Sequence, residues 1–484
     1  MKQTTIWALG GHSHGAPADT MPAYWAALAC GADGLAIGVA RTADDVLVCA
    51  PSQNLEPSTG EGARVRDLPL GRLQQLDAGR EFRSSALDEE NVATDTGDDR
   101  PWRRKRIDHP TLEKVLLAFS RRTRLFLLLH PDRSEEADLV SRVAELLTRF
   151  GVLDRVVLAG DVDVLSEAPP HPGLCLVDDP NRAIGSVVER AQELGASYFL
   201  ADPERIAAAP PREAVGMLVR PGDAGHALTP SQFEELGARD DLVGVAVTAV
   251  DRGHALRSPR GLVLAEEFEG PRVDRDLWAL GESRPNSDTT IEVDGGLHIR
   301  VEGGEYSGGA AFTEFSIHGG FDARVSFEAE TFAQGSTFEL AAVQVDAGYH
   351  RPNLTFDVHG TPPYASSERD EGDGFRLGWN NGPALIRWHG REATSSNLYN
   401  NYGNDVGDGD SDNPTGELRL VRCAEVFAAF YRDRHNRGWV CSGAVPVPAL
   451  AGSVFLRLGA KHWPKNGPAP DNHVRLWGFR LLQW

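Results

Sequence analysis

Residues 6–59 read IWALGGHSHGAPADTMPAYWAALACGADGLAIGVARTADDVLVCAPSQNLEPST. This stretch predicts a strand at Ile6–Leu9, a glycine- and histidine-rich loop, a helix at Met21–Cys30, and strands at Leu35–Ala40 and Val46–Ala50. A strand, a helix and a second strand in close succession are typical of a unit with a parallel sheet. The stretch therefore indicates an α/β fold for the first part of the chain.

Three phrases of this stretch resemble the opening of the glycerophosphodiester phosphodiesterase family. Domains of that family open with HRG and APENT, continue with GAD-GIELDV, and then read VVFHDPTLDRTT; the similar phrases here are Leu9–Thr20, Gly31–Val39 and Val48–Thr59. Two later segments, Val65–Gly79 and His109–Leu116, resemble the family's VRDLTLAELRALDAG and IPTLEEVL. The resemblance implies a (β/α)8 TIM barrel of the PLC-like phosphodiesterase type, with one supernumerary strand.

The residues that carry the family's chemistry are replaced in this chain. The family uses a His-Arg pair, a metal-binding Glu-x-Asp, a second catalytic His followed by Asp, and a Glu-x-Lys. The corresponding residues here are Leu9-Gly10, Ala36 and Gly38, Pro51-Ser52, and Leu128 and His130. Hard cations need oxygen ligands, and acid–base catalysis needs a titratable side chain. The resemblance therefore implies a barrel that has kept its fold and lost this active site; no cofactor is assigned, and a divalent cation, Ca²⁺ or Mg²⁺, is left open.

Polar residues remain where the barrel strands are expected to end, which is the face at which barrel enzymes act. One hypothesis uses His12 or His14 as a base, with His130 or Asp161 across the barrel mouth. Such a cluster of imidazoles and a carboxylate can also hold a transition metal. The alternative is that these are polar loop residues with local hydrogen bonds, the acidic ones capping the next helix.

Three further residues near the strand ends are expected to have structural roles. Asp19 is expected to cap the helix that starts near Met21, and Asp33 is expected to be a turn residue. Pro110 is expected to begin a helix, where its missing N–H costs nothing.

The pattern changes near Ser258–Gly261, beyond which helical periodicity gives way to short alternating strands. Leu264–Gly270 and Gly319–Phe327 resemble concanavalin A-like, laminin G-like jelly-roll domains. We therefore expect a barrel at 1–258, with a surface insert at 80–108, followed by a jelly-roll β-sandwich at 263–484.

The resemblance favours a lectin-like sandwich over a hydrolytic one, because the glycoside hydrolases' Glu-x-Asp-x-x-Glu strand is not seen. Aromatic rings beside amides can stack on sugars, and the candidate carbohydrate-binding residues are Trp379, Asn380, Trp388, Tyr399 and Tyr402. The alternative for these aromatics is packing in the core or between sheets. The run Asp408–Asp412 reads either as a Ca²⁺ loop or as a flexible acidic loop.

The net charge of −21 argues against nucleic acid or an anionic membrane as the main partner. The five cysteines show no metal-binding spacing. No apolar run is long enough to span a bilayer and no signal region is seen, so a cytoplasmic location is expected.

Three hypotheses follow. The first is a non-catalytic scaffold or binding protein for a small-molecule or carbohydrate ligand, built on a degenerate glycerophosphodiesterase-like barrel. The second is an enzyme of altered chemistry, a hydrolase or lyase, that uses the His12 and His14 rim. The third is a glycan-active sandwich with the barrel as its support. The oligomeric state is left open.

Overall fold

The structure is a computed structural model, and the residues it describes are 5–82, 86–87, 93–94, 106–130, 136–166, 173–179, 181–208, 216–219, 242–250, 261–282, 289–302, 307–332, 336–344, 385–389, 392–396, 415–433, 438–446, 451–462 and 471–484. The chain divides into two compact units, Met1–Asp95 with Arg106–Pro259, and Thr96–Lys105 with Arg260–Trp484. The division between Pro259 and Arg260 falls between the two predicted domains.

The first unit contains a closed barrel of parallel strands. Its strands are β1 (Thr5–Leu9), β2 (Gly34–Arg41), β3 (Leu47–Cys49), β4 (Ala86–Leu87), β5 (Ala93–Thr94), β6 (Arg124–Leu129), β7 (Val156–Gly160), β8 (Leu174–Val177), β9 (Tyr198–Ala201), β10 (Gly216–Val219) and β11 (Leu242–Val247). Strand β1 pairs in parallel with both β2 and β11, so the ring β1-β2-β6-β7-β8-β9-β10-β11 closes on itself. Strand β3 pairs antiparallel with β2 and is the supernumerary strand, while β4 and β5 form a separate two-stranded sheet. The barrel prediction is confirmed.

Helices follow most of the barrel strands along the chain. They are α1 (Met21–Ala29), α2 (Glu56–Thr59), α3 (Leu70–Leu73), α4 (Leu112–Phe119), α5 (Glu136–Phe150), α6 (Val162–Ser166), α7 (Ile184–Glu193) and α8 (Pro203–Ala208), with 3-10 turns at Val65–Asp67 and Leu153–Arg155. In α5 the residues Leu139, Val143 and Leu147 recur every four positions and are buried, as an amphipathic helix requires. None of the described helices is long and apolar enough to cross a bilayer.

Side chains of alternating size fill the inside of the barrel. Trp7 of β1 and Phe126 of β6 supply its largest rings, whose centroids are 5.6 Å apart. Small residues such as Ala36, Ala159 and Ala246 occupy neighbouring strands in the same buried cluster. The centre of the barrel is therefore a packed core, and open space for a ligand is expected only at its ends.

Helix α4 begins one residue later than the sequence suggests. Its N-cap is Thr111, whose side-chain oxygen accepts a hydrogen bond from the Lys114 amide at 3.2 Å. Pro110 lies before this cap, and its carbonyl accepts from the Cys49 amide of β3 at 2.8 Å. The prediction that Pro110 begins the helix is therefore wrong, because a side-chain cap was available at the next residue.

The second unit consists of antiparallel sheets. Its strands are β12 (Gly261–Glu266), β13 (Trp278–Glu282), β14 (Thr289–Val293), β15 (Leu297–Val301), β16 (Ser307–Thr313), β17 (Phe321–Phe332), β18 (Ser336–Gln344), β19 (Leu385–His389), β20 (Glu392–Ser396), β21 (Thr415–Cys423), β22 (Val426–Asp433), β23 (Val440–Pro446), β24 (Val454–His462) and β25 (Asn472–Gln483). One sheet has the order β14-β15-β25-β17-β21-β22-β23, with β12 also paired to β25. The other has the order β13-β16-β24-β18-β19-β20. The strands predicted at 353–358 and 374–379 lie outside the described residues.

The two sheets pack face to face through aromatic rings. Phe327 of one sheet and Phe338 of the other have centroids 4.7 Å apart. Trp278 and Phe479 meet in the same way, edge to face, at 5.0 Å. These contacts agree with the predicted β-sandwich; the finer jelly-roll, concanavalin A-like assignment stays a prediction.

Candidate functional site

The loop after β1 carries the two histidines predicted for the barrel mouth, the face at which the strands end. Gly10 and Gly11 have positive φ angles of +64° and +84°, and a Cβ at Gly11 would lie 2.5 Å from the Ala23 backbone. These glycines let the loop fold against α1, where the His12 amide donates to the Ala23 carbonyl at 2.9 Å. The His12 residue is only 2% exposed, which leaves its ring poorly placed to take a proton from a substrate.

His14 contacts the opposite end of the barrel sequence. Its Nε2 lies 2.8 Å from the hydroxyl of Thr248, the residue that follows β11. Both residues are half-buried. Thr248 was not among the predicted site residues, although its place directly after a buried strand could have identified it.

His130 occupies the end of β6, next to the end of β2. Its amide donates to the Val39 carbonyl at 2.9 Å, and its own carbonyl accepts from the Gln53 side chain at 2.6 Å. Its ring fills the space beside Gly38, because a Cβ built on Gly38 would lie 2.9 Å from His130 Nε2. That Cβ would lie closer still to the carbonyl oxygen of Ala50. The end of β2 is thus closed to any residue larger than glycine.

The environment of His130 keeps its imidazole neutral at pH 7. Burial lowers the pKa of His130 to about 4. A neutral ring can accept a proton or a hydrogen bond, but this low pKa makes it a weak base.

Asp19 reaches the same end of β2 from the loop before α1. Its Oδ1 accepts hydrogen bonds from the Tyr24 hydroxyl at 2.8 Å and from the Gly38 amide at 3.0 Å. The residue is buried and has a positive φ of +55°, and the N-cap position belongs to Thr20, which makes no side-chain capping bond. The prediction that Asp19 caps α1 is therefore wrong, since its carboxylate ties the loop to β2.

Burial raises the pKa of Asp19 from 3.8 to about 6, against the opposing effect of its two hydrogen bonds. The folded protein therefore holds a proton on Asp19 between these values that the unfolded chain releases, and stability should fall as pH rises from about 4 to 6. We expect Asp19→Asn to raise the free energy of unfolding by about 1–3 kcal/mol at pH 7.5. Asparagine keeps an acceptor for both donors and tolerates a positive φ.

Urea unfolding of the wild type and of Asp19→Asn between pH 3.5 and 8 measures this difference. The gain should be complete above about pH 6 and should disappear below about pH 4. Taking the difference between the two proteins removes the contribution of other titrating groups, such as His130. An unchanged or lower stability of the variant at pH 7.5 would contradict the assignment.

The carboxylates at the ends of later strands are engaged locally. Asp161 is exposed, and its side chain accepts from the Val164 amide at 2.9 Å, so it caps the short helix α6. Asp178 is buried and accepts two hydrogen bonds from Arg205 of α8, at 2.5 Å and 2.7 Å. The structure therefore gives Asp161 the capping role that was the alternative to catalysis.

The positions that the resemblance gives to metal ligands do not fit a metal. Ala36 is part of the apolar barrel core, and Gly38 has no side chain and no room for one. Within the described residues, no three ligand atoms from His, Cys, Asp or Glu converge at the barrel mouth. A family-type divalent cation therefore has no ligand set among these positions.

The predicted carbohydrate-binding residues cannot be assembled into a site. Trp379, Asn380, Tyr399 and Tyr402 lie outside the described residues, as does the acidic run 408–412. Trp388 belongs to β19, which pairs with β18 and β20 in the smaller sheet. Sugar binding stays a prediction.

The closed parallel barrel and the position of its mouth define a glycerophosphodiesterase-like barrel. Residues 11–158 match the family model described as the glycerophosphoryl diester phosphodiesterase family. This match covers the loop after β1, the end of β2 and His130, which are the parts of the mouth described above. The family resemblance of the first unit is confirmed.

Two kinds of relative are similar to this chain. The uncharacterized protein Rv2277c of Mycobacterium tuberculosis is 30% identical over 159 residues, which is 33% of this chain and 49% of that protein. The chain thus spans about half the length of the curated relatives it matches. Among solved structures, a glycerophosphodiester phosphodiesterase from Agrobacterium tumefaciens (20% identity, 52% of this chain, 99% of that chain, TM-score 0.40) and the corresponding domain of Rv2277c (20%, 53%, 99%, 0.40) are similar.

Proposed function

We propose that the first unit is a glycerophosphodiesterase-like barrel that does not carry out the family's metal-dependent hydrolysis and acts as a ligand-binding or scaffold domain. The observation that carries this proposal is the closed end of β2. At Gly38, where the resemblance implies a metal-binding carboxylate, the ring of His130 and the carbonyl of Ala50 occupy the space that a side chain would need. Ala36 and Leu128 add no ligand atom.

Asp19 does not replace the lost ligands. Its Oδ1 accepts from both Tyr24 and Gly38, and its carboxyl group is buried with a raised pKa. A carboxyl group that favours its protonated form below about pH 6 is a poor ligand for a hard cation. The carboxylate supports the closed conformation of the loop.

Hydrolysis assays test the proposal directly. With glycerophosphocholine and with Mg²⁺, Ca²⁺ or Mn²⁺ in turn, we expect release of glycerol 3-phosphate no faster than with heat-denatured protein. Isothermal titration with sn-glycerol 3-phosphate then separates a binding domain from a scaffold. Metal-dependent turnover that is lost in His130→Ala would overturn the proposal.

One observation favours a second candidate, an enzyme of altered chemistry. The pairing of His14 Nε2 with the Thr248 hydroxyl at 2.8 Å is the arrangement in which an imidazole can activate a hydroxyl group. If this pair is catalytic, hydrolysis of ester or phosphodiester model substrates should be detectable and should fall at least about 100-fold in both His14→Ala and Thr248→Val. Equal rates in the wild type and both variants would exclude it.

A further inference from the structure

A second group of potential ligands lies in the sandwich, on three adjacent strands. His298 belongs to β15, His473 to the central strand β25, and Glu330 to β17 on its other side. Arg300 and Thr331 are the register partners of His473 on its two sides. The β17–β25 register shifts between residues 329 and 331, so Glu330 lies in an irregular part of the strand, where a bulge can re-aim a side chain.

The hydrogen bonds of the two imidazoles determine which nitrogens carry protons. Nε2 of His298 lies 3.1 Å from the Asp294 carbonyl oxygen, and Nδ1 of His473 lies 2.8 Å from a Glu330 carboxylate oxygen. A carbonyl and a carboxylate can only accept, so each of these nitrogens carries the proton of its ring. The remaining nitrogens, Nδ1 of His298 and Nε2 of His473, are then the basic ones.

These two basic nitrogens face each other at 3.0 Å. Two lone pairs at that distance repel unless a cation or a proton lies between them. Two imidazole nitrogens bound to one Zn²⁺ at about 2.0–2.1 Å are themselves about 3 Å apart when the angle at the metal lies between about 90° and 110°. The observed separation therefore needs little change on metal binding.

Glu330 can supply a third ligand. One of its carboxylate oxygens lies 3.7 Å from His298 Nδ1, while the other holds the His473 ring. Carboxylates that orient a metal-bound imidazole are a regular part of zinc sites. The histidine side chains are 11% and 14% exposed and that of Glu330 is 40% exposed, so the site would be open to solvent on one side.

We propose that His298, His473 and Glu330 form a binding site for a first-row transition-metal ion of the Zn²⁺ type, with one position open to solvent. Two imidazoles and one carboxylate select such ions over Mg²⁺ and Ca²⁺, which prefer oxygen ligands. Burial lowers the pKa of His473, with Arg300 and His298 acting in the same direction and Glu330 against it, and a neutral ring is the form that binds metal.

Arg300 competes with the ion for His473. Its Nε donates to His473 Nε2 at 3.2 Å, although its side chain is half-exposed and has Glu292 as a second partner at 4.0 Å. Metal binding would displace the guanidinium toward Glu292. Removing its charge should therefore strengthen metal binding, an effect that a purely structural histidine pair would not show.

Metal titration of the chelator-treated full chain tests the site. Isothermal titration with Zn²⁺ should show one tight equivalent, weakened at least about tenfold in His298→Gln, His473→Gln and Glu330→Gln and strengthened in Arg300→Gln. Co²⁺ should give visible absorption bands in the wild type that disappear in the two histidine variants. His318→Gln is the matched control, because His318 is exposed in the same unit with Ser316 and Ser453 as hydrogen-bond partners, and its binding should be unchanged.

Two results would overturn the proposal. Equal Zn²⁺ affinity in the wild type and in both histidine variants would mean an adventitious ion only. Absence of binding by the wild type would mean that the facing nitrogens share a proton. Glu330→Gln changes a half-exposed residue and keeps its shape, so it remains informative even if a histidine variant fails to fold.

Discussion

Gly38→Ala is expected to destabilise the barrel by about 3–5 kcal/mol. The new Cβ would lie 2.9 Å from His130 Nε2 and closer still to the Ala50 carbonyl oxygen. Neither neighbour can move freely, because the Ala50 amide donates to the Gly38 carbonyl at 3.0 Å and β2 is also paired to β6. Urea unfolding followed by far-UV circular dichroism measures the loss.

Gly185→Ala provides the matched control in the same unit. Gly185 lies in the first turn of α7, and a Cβ there would meet nothing within 4 Å. Alanine favours helix over glycine, so this substitution should be neutral or stabilising by up to about 1 kcal/mol. A Gly38→Ala protein as stable as the Gly185→Ala protein would show that the end of β2 can open.

The same closure predicts the outcome of an attempted reactivation. Introducing the carboxylates that the family resemblance implies, Ala36→Glu with Gly38→Asp, would place one in an apolar core and the other in occupied space. We therefore expect misfolded protein instead of recovered hydrolysis. Soluble, metal-dependent activity in this double variant would contradict the account of the mouth.

The second large effect is expected at a buried ion pair of the sandwich. Asp322 and Arg419 are both fully buried, and they form two hydrogen bonds, at 3.0 Å and 2.8 Å. Arg324 also bonds to Asp322, at 3.1 Å and 2.9 Å. Asp322→Ala would leave the Arg419 charge in the interior without its carboxylate, so we expect a loss of about 3–5 kcal/mol in the free energy of unfolding.

Two comparisons make this prediction specific. Glu267→Ala removes a half-exposed partner of Arg480, 3.8 Å away, and should change stability by less than about 0.5 kcal/mol. The double variant Asp322→Leu with Arg419→Met should lose less than Asp322→Ala alone, because no unpaired charge remains. A single Asp322→Ala loss below about 1 kcal/mol would contradict the burial argument.

The sequence predicted the order of elements in the barrel well, because each depends on local periodicity. The strand–helix–strand pattern of the first stretch and the absence of ligand atoms at Ala36 and Gly38 could be read directly. The role of Asp19 could not, because its positive φ turns the side chain toward Gly38 and away from the helix end. His12 and His14 look equivalent in the sequence, yet one is buried and the other meets Thr248.

In the sandwich, alternation predicted many strands but not their partners. The cluster of His298, Glu330 and His473 joins residues that are up to 175 positions apart, and no spacing in the sequence connects them. Pairing of non-local strands depends on packing of the whole sheet, which local patterns do not encode.

Strand β25 has a consequence for biosynthesis. It pairs with β17 along one side and with β15 and β12 along the other, so four strands are joined through the one that the ribosome releases last. During translation, β12, β15 and β17 must wait with their hydrogen-bonding edges uncovered, a state that favours association with other nascent chains. Chaperone dependence should therefore be greatest for chains stalled just before residue 472.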